Sequence, residues 1–256
     1  MTSMDSPEKN KPLKIFKLLV EYDGTNYHGW QIQPSDASIQ NEIQKILSLI
    51  TQKNIIIHGS GRTDAGVHAI GQVAHFESAT SILPEKIQTA LNKMLPDDIV
   101  IKKCAYAKAD FHARYSVKTK TYNYRILNSL MPAAVNRHYS WHIKKSLDIN
   151  LMQTAADFLV GTRDFKAFEG VGSPKKSTIR KLYKAQFVKE DEIITFIVTG
   201  SGFLKFMVRN IVGTLVDVGL GKLTPDEFNE ILNSRDRSNA GMTAPPHGLF
   251  LKHVEY

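Results

Sequence analysis

One cysteine in 256 residues, Cys104, leaves this chain no intrachain disulfide and no multi-cysteine zinc site. That usage fits a reducing compartment, with Cys104 as a buried core thiol. No apolar run approaches the roughly 18 residues that cross a bilayer, so no membrane span is expected. Three nucleotide and hydrolase signatures are missing as well. Gly59 and Gly61 begin a G-x-G-x-x-G pattern whose third glycine position holds Asp64, no G-x-x-x-x-G-K-[ST] loop is present, and no G-x-S-x-G elbow exists. Dinucleotide binding on a Rossmann fold, P-loop phosphoryl transfer and Ser-His-Asp hydrolysis are thereby set aside.

Acidic residues are scarce relative to basic ones, 25 against 33, giving a formal charge of +8 and a pI near 9.4. The basic residues recur in two runs, Lys102, Lys103, Lys108, Arg114, Lys118, Lys120 and Arg125, then Lys175, Lys176, Arg180, Lys181 and Lys184. Such runs suit a polyanion, and nine tyrosines with two tryptophans offer faces for unpaired bases. A solvated basic surface is the plainer reading. The start, MTSMDSPEKNKP, is polar and lacks the apolar centre of a signal peptide, so residues 1–12 are expected to be a flexible tail and the protein cytoplasmic.

The rest has ordinary globular composition, and its periodicity predicts a mixed order. IFKLLVEYD (15–23) reads as a strand, and SIQNEIQKILSLI (38–50) as a helix capped by Ser38 with Ile39, Ile43, Ile46 and Ile50 on one stripe. NIIIHGS and GQVAHFES (71–78) read as strands, the latter with Val73 and His75 on one side and Ala74 and Phe76 on the other. PEKIQTALNKML reads as a helix and DIVIKKCAYA as a strand. This β-α-β-β-α-β order matches a ferredoxin-like unit.

The second half repeats the scheme loosely. Residues 116–128 read as a strand, 148–161 as a helix ending in glycine, and STIRKLYKAQFVKEDEIITFIVTG as two strands. FLKFMVRNIVGTLVDVGLG then reads as a buried helix, TPDEFNEILN as a short one and LFLKHVEY as a closing strand. The expected fold is α+β: two ferredoxin-like halves, 13–106 and 107–256, pairing into one long sheet with a groove between them.

Chemistry concentrates in GSGRTDAGVHA (59–69), where glycines surround Arg62 and Asp64. A glycine-bounded loop leaving a strand suits either the mouth of a site or a tight turn with a solvated aspartate. Asp64, His68 and His75 are possible metal ligands, but Gly66 interrupts any helix aligning Asp64 with His68, and a further ligand would be needed. Along the predicted helix, Lys205, Arg209, Gly213 and Asp217 form a stripe at four-residue spacing. A buried Arg209 in mid-helix requires an anionic partner, and Asp64 is a natural one. Pairing with a guanidinium is expected to lower the carboxylate's pKa and keep it ionised.

GRTDAGVHA, EYDGTNYHGWQIQ (21–33), DFHARYSVKTKTYNYRI (110–126), GFLKFMVRNIVG (202–213) and APPHGLFL (244–251) together resemble the TruA-type tRNA pseudouridine synthases, in order and spacing, over nearly the whole chain. The resemblance implies a homodimer whose chain has two RRM-like or ferredoxin-like halves in an extended, mostly antiparallel sheet with helices on one face and a central cleft, acting on uridines 38, 39 and 40 of the tRNA anticodon stem-loop without cofactor or metal. It further implies that Asp64 is the catalytic aspartate, that Arg62 helps displace the target nucleotide, that Tyr122 stacks on the target base, and that Arg209 pairs with the catalytic carboxylate. Without the resemblance, Tyr122 reads as a strand aromatic packed in the core. The segment 164–181 and Lys205 depart from the family's pattern. Two other readings remain: a non-catalytic RNA-binding protein on the same sheet, and a metal-dependent phosphohydrolase using Asp64 and His68.

Overall fold

The computed structural model describes residues 12–34, 36–170, 172 and 177–256. The expected tail, apart from Pro12, lies outside the described residues, as do Lys175 and Lys176. Chain order is β1 (Lys14–Tyr22), α1 (Ile39–Thr51), β2 (His58–Gly59), β3 (His68–Ser78), α2 (Pro84–Met94), β4 (Ile99–Tyr106), β5 (Thr119–Asn128), β6 (Trp141–Ile143), α3 (Ile149–Asp157), β7 (Gly161–Asp164), β8 (Ile179–Glu190), β9 (Ile193–Gly200), α4 (Met207–Gly219), α5 (Pro225–Ser234) and β10 (Leu249–Glu255).

The strands form one mixed sheet in the order β4-β1-β3-β10-β5-β9-β8-β7, with β2 added on β3 and β6 on β5. Along β1, Phe16, Leu18, Val20 and Tyr22 are buried while the residues between them are partly exposed, and β9 alternates in the same way. Period two with one buried face means that helices cover one side of the sheet. There α1 packs with α2, and α3 with α4 and α5.

The last strand of the chain lies in the middle of the sheet. β10 pairs in parallel with β3, Phe250 opposite His68 and Leu251 opposite Ala69, and antiparallel with β5 on its other side. Cys104 is buried in β4, and burial pushes its thiol up to about 12, an inert state.

Several elements differ from the sequence reading. Only His58–Gly59 of NIIIHGS joins the sheet. Ile55 and Ile57 are buried, but helix side chains take their backbone hydrogen bonds: Ile57 N–H donates to Gln44 Oε1 (3.2 Å), Gln40 Nε2 donates to the Ile57 carbonyl (2.9 Å), and Ile55 N–H donates to Ser48 Oγ (3.1 Å). No ladder partner is then required. In α1, capped by Ser38, Leu47 is fully buried where Ile50 is only partly so. Val73, Ala74, His75 and Phe76 are all buried because β3 is central and covered on both faces. Helix α3 ends at Asp157, so Gly161, at φ +106°, opens β7 instead of terminating the helix.

The largest shift concerns the buried helix, which begins at Met207 and not at Phe203. Phe206 adopts φ +59°, outside the helical region, which leaves Lys205 in the preceding loop and puts Arg209 in the first turn. Within α4 only Arg209 and Asp217 escape full burial.

Candidate active site

The Asp64 loop is pinned from below and from both flanks. Ser60 N–H donates to the Val73 carbonyl at 2.7 Å, Ser60 Oγ donates to Gln72 Oε1 at 2.6 Å, and Gln72 Nε2 donates to the Gly61 carbonyl at 3.0 Å. Thr63 Oγ1 and the Tyr22 hydroxyl lie 2.8 Å apart, and Trp30 N–H donates to the Thr63 carbonyl at 3.2 Å. Gly66, at φ +73°, turns the chain so that Val67 N–H reaches the Asp64 carbonyl at 3.1 Å. From β5, Lys120 Nζ donates to the Ser60 carbonyl at 2.7 Å.

Asp64 is thus held on a fixed support with its side chain 26% exposed, and Arg209 Nη1 lies 3.5 Å from Asp64 Oδ2. Arg209 is positioned by the segment after α5. Its Nε donates to the Ala244 carbonyl at 2.7 Å, and Ala244 N–H donates to the Arg209 carbonyl at 3.1 Å. That approach requires Gly213, where a Cβ would stand 1.7 Å from the Met242 carbonyl oxygen. The Phe206 ring lies 5.1 Å from the guanidinium.

Electrostatics correct one expectation. Burial pushes the Asp64 carboxyl above its ordinary range, and the opposing pull of Arg209, followed by Lys205, does not cancel it. One guanidinium at 3.5 Å recovers less than the carboxylate loses in leaving water.

Tyr122, on β5, is 8% exposed and meets the Phe203 ring edge-on at 5.0 Å. Burial drives its hydroxyl pKa upward, and the charges of Tyr22 and Asp64 add to the rise, which puts both within electrostatic reach. Arg62 is exposed, and its Nε donates to Gln31 Oε1 at 3.2 Å. The structure therefore gathers Asp64, Arg209 and Tyr122, while the exposed Arg62 side chain is engaged by Gln31.

The histidines go elsewhere. His68 Nδ1 lies 3.0 Å from Asp23 Oδ1, and its Nε2 lies 3.1 Å from the His138 carbonyl oxygen and 3.2 Å from that of His247. His75 accepts from Ala113 N–H at 3.1 Å and packs against the His58 and His112 rings. Among the described residues, no group of three or more His, Cys, Asp or Glu side chains is placed to hold a metal ion. Two contributors were not singled out from the sequence as parts of the site. Lys120, two residues before Tyr122 on the same strand face, was open to detection by period-two spacing. Phe206 carried no local signal.

A sheltered carboxylate with a fixed guanidinium partner and a buried tyrosine nearby, in a basic α+β protein, has the chemistry of an enzyme whose substrate is a polyanion. Comparisons with known proteins narrow that class. The family model described as tRNA pseudouridine synthase matches residues 18–116 and 155–256. A tRNA pseudouridine synthase A from Acetivibrio thermocellus is 47% identical over 244 residues, covering 95% of this chain and 100% of its own. Another from Thermoanaerobacter sp. is 48% identical over 239 residues, covering 93% and 98%. The chain belongs to the tRNA pseudouridine synthase family. A crystal structure of a Cbf5-Nop10-Gar1 complex also aligns, at 14% identity with a TM-score of 0.35, over 92% of this chain and 57% of that one; a likeness so loose carries no argument.

Proposed function

We propose that this protein isomerises uridine to pseudouridine in tRNA, at positions 38, 39 and 40 of the anticodon stem-loop, with Asp64 as the catalytic carboxylate. The observation that carries the reading is the Asp64–Arg209 ion pair at 3.5 Å, built on a chain whose relatives at 47 and 48% identity are tRNA pseudouridine synthases. In the reaction the C1′–N1 bond breaks, the freed uracil turns, C1′ bonds to C5, and the C5 proton leaves while N1 ends protonated. Composition and oxidation state are unchanged, so the chemistry calls for no redox cofactor and no energy source.

Positive charge develops on the sugar as the glycosidic bond breaks, and an anionic oxygen at Asp64 stabilises it, as carboxylates do in glycoside hydrolysis. Arg209 keeps that oxygen oriented and charged in a sheltered place. A stacked uridine must leave the helix first, at a cost of a few kcal/mol, and the exposed Arg62 helps displace it. The Tyr122 ring supplies a face for the extruded base. Its hydroxyl, held protonated by burial, relays the C5 proton. The protein works as a homodimer in the cytoplasm, and among the described residues no helix is long and apolar enough to cross a membrane.

Release of tritium from tRNA labelled at uridine C5 tests the reading, because it reports loss of the C5 proton in a reaction that leaves mass unchanged. Transcripts keeping one uridine at a time among the three positions assign the sites. No release from any of them refutes the proposal.

A further inference from the structure

Outside the Asp64 site, one exposed aromatic sits on a rigid support. Tyr115 is 77% exposed, more than any other Phe, Tyr or Trp among the described residues, in the turn between β4 and β5. That turn is closed on itself. His112 N–H donates to Ser116 Oγ at 3.1 Å, Ser116 N–H to the His112 carbonyl at 3.0 Å, and the N–H groups of Arg114 and Tyr115 reach His112 Nδ1 at 3.1 and 3.3 Å. The core anchors it from behind through the bond from Ala113 N–H to His75 and through the Tyr256 hydroxyl, which donates to the Ala113 carbonyl at 2.8 Å.

The Tyr115 ring rests 4.3 Å from the His112 ring, with the Arg114 guanidinium 5.7 Å from its centre. His112 in turn lies 5.5 Å from His58, the residue before Gly59 at the start of the Asp64 loop. An exposed, pre-ordered ring with a cation beside it loses little entropy on stacking, and every nucleobase presents a π-face. A base stacked between neighbours inside a continuous duplex has no free face to offer. We propose that Tyr115, flanked by Arg114 and His112, is a stacking platform for an unpaired nucleotide of the bound RNA, beside the site that takes the target uridine. This placement rests on the tRNA reading above. The turn supplies affinity and register and takes no part in bond changes.

The test measures binding of the full chain to a tRNA transcript and to a fully paired RNA duplex of similar length at one salt concentration. Tyr115→Ala is expected to weaken tRNA binding by about 5- to 150-fold, the range for loss of one base–aromatic stack, and to leave duplex binding unchanged. Tyr115→Phe should bind tRNA as the wild type does, and Tyr115→Leu should fall with the alanine variant. Leucine matching phenylalanine would overturn the proposal, since apolar bulk would then suffice. So would wild-type tRNA affinity in the alanine variant, or an equal loss for tRNA and duplex. A wild-type protein that binds tRNA through Tyr115 yet releases no tritium would refute the function while leaving the platform standing.

Discussion

Arg209 faces Asp64 across 3.5 Å with one arm of its guanidinium while its Nε is committed to the Ala244 carbonyl at 2.7 Å. The pair is therefore aimed by the backbone after α5, and the carboxylate receives a partner whose position does not depend on it. This division of labour leads to four expectations.

Asp64→Asn removes the charge and keeps the shape. Tritium release should fall by three orders of magnitude or more, while tRNA affinity in a filter-binding titration changes less than about fivefold, the counterpart of 1 kcal/mol. Substantial turnover in this variant would remove Asp64 from the chemistry.

Arg209→Lys keeps a positive charge but loses the fork and the bond to Ala244. Burial already raises the Asp64 carboxyl, and Arg209 is the main influence pulling it down. Activity that requires ionised Asp64 falls as pH drops through its folded pKa, so weakening Arg209 should move the acid limb of the pH–rate profile to higher pH. The profile is to be taken at matched folded fraction. An unmoved limb would mean that another group sets it.

Gly213→Ala should destabilise the protein by about 1–3 kcal/mol or more through overpacking, since the new methyl meets the Met242 carbonyl oxygen at 1.7 Å. By shifting the 240–244 segment it should also lower kcat in the folded fraction. Urea denaturation followed by single-turnover assay separates the two effects.

Lys120→Met strips the Ser60 carbonyl of its donor and should lower kcat by about tenfold, on the scale of one lost hydrogen bond. Burial, and after it Arg114, lowers the Lys120 ammonium to about 8 from 10.5. Between those values the unfolded chain binds a proton that the folded chain does not, so this group makes stability rise with pH, by at most about 1.4 kcal/mol per unit. Denaturation curves at pH 7.5 and 9.5 should show a larger gain in the wild type than in the variant. An equal gain in both would assign the rise to other groups.

How far each part was legible in the sequence follows from the range of the interactions involved. β1, α1, α2, β8 and β9 declare themselves through periods of 2 and 3.6, because each buries one face and its pattern records that face. Gly61, Arg62 and Asp64 were visible as a loop from the glycines around them. The start of α4 was not: its apolar residues run back to Phe203, but Phe206 takes φ +59° with its ring against Gly170, Gly170 N–H donates to the Lys205 carbonyl at 2.8 Å, and the helix begins at Met207. NIIIHGS carries strand-like residues, but the glutamines of α1 claim its backbone.

The chain alone determined the type of most elements, the basic balance, the family motifs and the identity of a carboxylate and a guanidinium suited to each other. Tertiary structure decided that these two meet at 3.5 Å, that β10 closes the sheet between β3 and β5, and that the net shift of Asp64 is upward. The reason is physical. Burial patterns are written in nearest-neighbour periodicity, whereas desolvation and ion-pair geometry depend on residues 145 positions apart, whose distance only the folded packing sets.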